Sequence, residues 1–109
     1  MAALRIEHVN VTVSSPERAA DLMERIFGWR VRWRGAARDG GRTIHVGSEE
    51  HYVALYASGD PASTGVPFVK GAPLNHIGVE VDDVDATEKR VIATGLVPFS
   101  HGDYALFNH

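Results

Sequence analysis

Glu7-His8-Val9-Asn10-Val11-Thr12-Val13 is matched 68 positions later by Asn75-His76-Ile77-Gly78-Val79-Glu80-Val81. Each stretch opens on a histidine and then alternates β-branched residues with others, the period of two that marks a strand with unlike faces. The first strand reads from Arg5 to Val13. Val9, Val11 and Val13 share one face, and His8, Asn10 and Thr12 the other. The residues after each copy also correspond. Ser14, Ser15 and Pro16 open a helix with a serine N-cap and proline at its first position. Asp82 and Asp83 hold the equivalent places before a second helix, from Val84 to about Thr94. Gly28 and Gly95 stop the two helices. A strand, cap and helix repeated at fixed offset indicate a duplicated module.

Between the copies, Ala19, Leu22, Met23, Ile26 and Phe27 form one apolar stripe on the first helix, with Asp21 and Arg25 as an i,i+4 pair. Trp29 to Arg34, Arg42 to Val46 and His51 to Ala57 read as strands. Asp39-Gly40-Gly41 and the polar run Gly47 to Glu50 read as the turns between them. The expectation is an α+β domain over residues 1–109, made of two tandem β-α-β-β-β modules. Module one covers 1–58, a connector covers 59–73, and module two covers 74–109 and is incomplete. Leu96 to Phe99 begins its next strand.

The chain has 109 residues, 44% of them hydrophobic and 23% charged, enough for one domain with a real core. A net charge of −3 argues against a nucleic-acid footprint. Arg30, Arg32, Arg34, Arg38 and Arg42 read as one face of an exposed strand and its turn. The absence of cysteine removes disulfides, a thiol nucleophile and thiolate metal sites. Neither a secretory signal nor an apolar run of about 20 residues is present, so a cytoplasmic location away from membranes is expected. A dinucleotide fingerprint and a phosphate-cradling glycine loop are also missing.

The paired strands, the helix Pro16 to Trp29 ending in Phe-Gly-Trp, and the strand Tyr52-Val53-Ala54-Leu55-Tyr56 resemble the vicinal oxygen chelate superfamily. That superfamily includes glyoxalases, bleomycin resistance proteins and extradiol dioxygenases. The resemblance covers nearly the whole chain and implies two modules whose sheets curl around a shared cleft. It also implies two more strands after Phe107-Asn108-His109, the last carrying a glutamate in metal-binding members. Either the chain is cut short of that hairpin by roughly 15–25 residues, which is the favoured expectation, or the hairpin is absent from this protein.

Strand geometry aims His8 and His76 away from the valine face and into the cleft. In the family these positions are metal ligands, one from each module. Imidazole suits Zn, Ni, Mn or Fe. Against this, a histidine on a half-buried strand is commonly just hydrogen-bonded, and zinc sites normally use three or four protein ligands. Ala54 stands where glyoxalase-like members place a glutamate and cannot ligate. Glu80 is about 13 Å along its strand from His76, too far to share one ion. Glu49 and Glu50 read as solvated turn residues. Asn10, Tyr52 and Tyr56 lie on the His8 face and read as substrate-binding, the tyrosines as an aromatic wall. Phe99, His101 and Tyr104 read as cleft rim, and His45, His51 and His109 as surface or strand histidines. No catalytic residue is assigned.

The resemblance implies two possible functions. One is a metal-dependent lyase, isomerase or dioxygenase that chelates a small oxygenated substrate on a divalent ion. The other is a metal-free drug-binding protein, similar to bleomycin resistance proteins, that sequesters a small molecule at a dimer cleft. His8 and His76 favour the first, and Ala54 favours the second over a four-ligand site. Both imply a homodimer and a small-molecule ligand, and the long connector allows modules to swap between chains.

Overall fold

The computed structural model describes residues 4–59, 74 and 76–99. The described elements run β1 (His8–Thr12), α1 (Pro16–Phe27), β2 (Arg30–Ala36), β3 (Arg42–Gly47), β4 (Tyr52–Ala57) and α2 (Val84–Ala93). The first five are the β-α-β-β-β module expected from the sequence, and the architecture is α+β. The four strands form one open sheet in the order β1-β4-β3-β2. β1 runs parallel to β4, while β2–β3 and β3–β4 are antiparallel hairpin neighbours. β1 and β2, joined through the helix, therefore end on opposite edges.

Local chemistry explains the boundaries. Ser15, in extended backbone, accepts from the Arg18 amide at 3.1 Å, Pro16 opens α1, and Gly28 closes it at φ 71°. A side chain at Gly28 would be strained by that left-handed backbone. Asp83 caps α2 in the same way, accepting from the Ala86 amide at 3.0 Å. In the β2–β3 turn the Asp39 carboxylate accepts from the Gly41 amide at 3.0 Å. The second turn closes through the Ser48 amide donating to the His51 carbonyl at 2.9 Å. Its acids are exposed, as expected, but Glu49 pairs with Arg30 and Glu50 with Arg5.

The core lies between α1 and one face of the sheet. Ala20, Ile44, Val46, Val53 and Leu55 are buried there, with Val11, Val13, Ala19, Met23, Trp29 and Val31 packed around them. Val9 shares the valine face yet is 37% exposed. The helix packs on β2, β3 and β4, and the edge strand β1 extends beyond its cover.

The chain's contacts divide it into two compact units between Val79 and Glu80. In the first, the described residues 76–79 are exposed and outside any ladder, so the second histidine-led strand expected from the sequence is not formed among the described residues. An extended segment becomes a strand only against a hydrogen-bonded partner, and that partner is set by distant sequence. In the second unit, α2 matches its expected span, with Thr94 as C-cap and Gly95 next at φ 91°. Residues 96–99 carry no regular structure. The connector from residue 60 to 73, and His101, Tyr104 and His109, lie outside the described residues.

Candidate functional site

The face of the sheet opposite α1 is where the chemistry collects. In register, His8 pairs with Tyr52, Asn10 with Ala54 and Thr12 with Tyr56. His45 pairs with Ala54 on the other side. Because Ile44, Val46, Val53 and Leu55 point into the core, alternation sends Thr43, His45, Tyr52, Ala54 and Tyr56 to the open face.

A row of stacked rings crosses that face. The His8 imidazole lies on Tyr52 with centroids 4.8 Å apart and planes 6° from parallel. Tyr52 stacks on His45 at 4.6 Å and 23°, and His45 meets Trp33 at 5.0 Å. The Arg32 guanidinium carbon sits 4.5 Å from the Tyr52 ring centroid. Offset and tilted rings at these separations attract through their quadrupoles as well as their area.

Trp33 and Arg32 reach this face through an irregularity in β2. Val31 pairs with Val46 and Trp33 with His45, leaving Arg32 as an extra residue on the longer strand. Such a bulge resets the alternation. Trp33 would otherwise follow Val31 into the core; instead it joins His45, and Arg34 turns toward the helix side opposite Ile44. There the Glu17 carboxylate accepts from the Arg42 Nε at 2.6 Å, a bond that lowers its pKa, with the charge of Arg34 adding in the same direction as the smallest contribution. The expectation that the arginines share one face is thus corrected. The Trp33 indole lies across Gly35, where a Cβ would come 2.5 Å from the ring.

Each expected site residue has a definite place. His8 is on the open face, its Nδ1 2.9 Å from the Glu7 carboxylate. Asn10 is exposed beside Ala54, and Tyr52 is at the centre of the row. Tyr56 lies further along β4, its hydroxyl donating to Asp39. That bond raises the Tyr56 pKa, and together with the Gly41 amide it lowers that of Asp39. His76 is exposed, in the stretch without a ladder. Among the described residues, no three histidines or carboxylates come together as a metal-binding group.

His45 is the residue that sequence reading passed over. It is half-buried, and burial, followed by His8 and then Arg32, lowers its pKa below the usual histidine value. Its signal was present in Thr43-Ile44-His45-Val46, where alternation already separates it from the two core residues.

The family model for the Glyoxalase/Bleomycin resistance protein/Dioxygenase superfamily matches residues 5–102. No curated protein matches the chain. Among solved structures, SMU.1112c is similar with a TM-score of 0.57 and 16% identity, covering 86% of this chain and 77% of that one. FosX, a genomically encoded fosfomycin resistance protein from Listeria monocytogenes complexed with Mn(II) and sulfate, is similar at TM-score 0.56 and 9% identity, covering 86% and 74%. VPC_CASS1, from the mobile metagenome of V. Pseudocholerae, is similar at 0.53 and 14%, covering 89% and 71%. Identities this low bear on the fold alone.

Proposed function

Because the chain belongs to the Glyoxalase/Bleomycin resistance protein/Dioxygenase superfamily, we propose that it acts on a small oxygenated organic molecule held against the open face of the sheet. The observation that carries this reading is the His8–Tyr52–His45 row, which gathers two imidazoles and a phenol away from the core. In this reading His8 and His76 hold a divalent ion, Zn, Ni, Mn or Fe. Such an ion supplies Lewis acidity to two adjacent oxygens of a substrate, the chemistry of a lyase, isomerase or dioxygenase.

The donor set supports this in part. Glu7 at the His8 Nδ1 leaves Nε2 as the nitrogen that would hold an ion, and a carboxylate on the other nitrogen of a ligating imidazole fixes its orientation. Two imidazoles fall short of the three or four protein ligands of a zinc site, and Ala54 adds none. No reaction step is therefore routed through the ion. What the chain's own residues do is bind and orient. Trp33, 49% exposed, offers flat apolar surface, Tyr52 holds the two imidazoles and Arg32 in place, and Asn10 offers an amide beside Ala54. The Tyr56 hydroxyl is committed to Asp39, which leaves its ring as the part facing a ligand.

A second reading is a metal-free, drug-binding protein that sequesters its ligand at a homodimer cleft. Ala54 favours it, because an alanine paired between Asn10 and His45 offers no ligating group where glyoxalase-like members place a glutamate.

Metal content separates the two. The protein is purified without chelator or nickel resin, and its uptake and thermal shift with Mn²⁺, Ni²⁺, Zn²⁺ and Fe²⁺ are measured. The metal-dependent reading expects close to one equivalent, lost in His8→Ala/His76→Ala with the circular dichroism unchanged. Uptake below about a tenth of an equivalent with no thermal shift refutes it, since a bound ion stabilises the folded state.

A further inference from the structure

We propose that the bulge at Arg32 builds a subsite for a flat organic anion, a carboxylate attached to an aromatic or conjugated group, with the charge on Arg32 and the ring against Trp33. The inference deepens the small-molecule reading of the open face and rests on it, but it does not depend on metal.

Three observations point to this ligand class. The first is the bulge, which turns two successive side chains toward one face where regular alternation would part them. Bulges next to binding sites commonly re-aim a side chain in this way. The second is the state of Arg32. Arg30 is paired with Glu49 and Arg42 with Glu17, whereas Arg32 has no carboxylate partner among the described residues. It rests on the Tyr52 ring instead. A guanidinium over an aromatic face keeps its in-plane N–H donors, the fork that binds a carboxylate with two hydrogen bonds. The carboxylate tied into the ring row is Glu7, held by His8 on the far edge strand, on the other side of Tyr52.

The third is Trp33. Its side chain is a large hydrophobic surface left 49% exposed, and it is not adrift. Gly35 beneath it and His45 beside it fix the indole in place. A fixed, half-exposed indole next to a guanidinium without an acid partner matches a ligand flat at one end and anionic at the other.

The test uses the full chain in EDTA, with benzoate, benzamide and cyclohexanecarboxylate as probes. Binding is followed by NMR through the indole N–H peaks, that of Trp33 being assigned by its loss in Trp33→Phe. Benzoate is expected to bind at least about fivefold more tightly than either other probe and to shift Trp33. Trp29, packed against the core with Phe27 and His51, should not respond. Arg32→Gln should weaken benzoate about tenfold, the value of one charge-assisted contact near 1.4 kcal/mol, and leave benzamide unchanged. Equal affinity for benzoate and benzamide, no binding of benzoate at millimolar concentration, or full benzoate affinity in Arg32→Gln would each overturn the proposal. Loss of metal uptake with benzoate binding intact refutes the metal reading alone. Metal uptake without benzoate binding refutes this one.

Discussion

Replacing Tyr52 by leucine keeps an apolar side chain of similar reach but removes the ring on which His8, His45 and Arg32 all rest. An aromatic pair is worth about 0.5–1.5 kcal/mol beyond its buried area. An exposed cation–π contact adds about 0.5–1 kcal/mol. Imidazole is the smaller partner and His8 is the more exposed of the two, so both stacks belong in the lower half of the range. The expected cost of Tyr52→Leu is therefore about 1.5–3 kcal/mol. A double-mutant cycle isolates the central contact. Tyr52→Leu and His45→Leu, singly and together, are compared by urea denaturation monitored by circular dichroism with the m value held constant. A coupling energy of about 0.5–1 kcal/mol is expected, because the rings sit 4.6 Å apart and close to parallel. The same cycle with His8 should give a smaller value. Additive costs, with coupling below about 0.3 kcal/mol, would show that the row is a coincidence of register and not an interacting unit.

Two further outcomes are expected from the same packing. Leu55 is 1% exposed, paired in register with Val11 and Ile44 and clustered with Ala20 of the helix. Leu55→Ala should cost about 2.7–5 kcal/mol in chemical denaturation, a large share of a small core; a loss under about 1 kcal/mol would place the core elsewhere. For His45, a folded pKa below the unfolded value near 6.5 means that its neutral form fits the fold better. Its contribution is complete above that pH and is lost as pH falls through the lower folded value. An NMR titration should give a midpoint below 6.5, and one at or above 6.5 would contradict the burial assigned to the ring.

Most of the first module is legible in the sequence. The strand β1 carries a period of two, and β3 and β4 are short runs rich in β-branched or aromatic residues bounded by turn signals. Both helices carry caps whose chemistry is local, Ser15 and Asp83 at the start and Gly28 and Gly95 at the end. Features of this kind depend on residues two to four positions apart, which is the range a sequence displays directly. His45 was equally legible in principle, since alternation alone puts it on the His8 face. Reading it as an ordinary strand histidine ignored the parity of Ile44 and Val46. The strand expected at Asn75 to Val81 is a different case. Its pattern is as good as that of β1, but among the described residues no partner ladder forms on it, and pairing is a property of two segments.

The paired histidine-led stretches at residues 7 and 75 thus determined, from sequence alone, the family, the α+β module and the face on which His8 lies. Only the tertiary structure decided what surrounds that histidine. The extra residue at Arg32 reverses the parity of β2, sending Trp33 to the ring row and Arg34 toward Glu17. Nothing within Arg30 to Ala36 announces it. A bulge is fixed by the mismatch between two strands brought side by side, where burying Val31 against Val46 and meeting His45 with Trp33 cannot both be met by regular alternation.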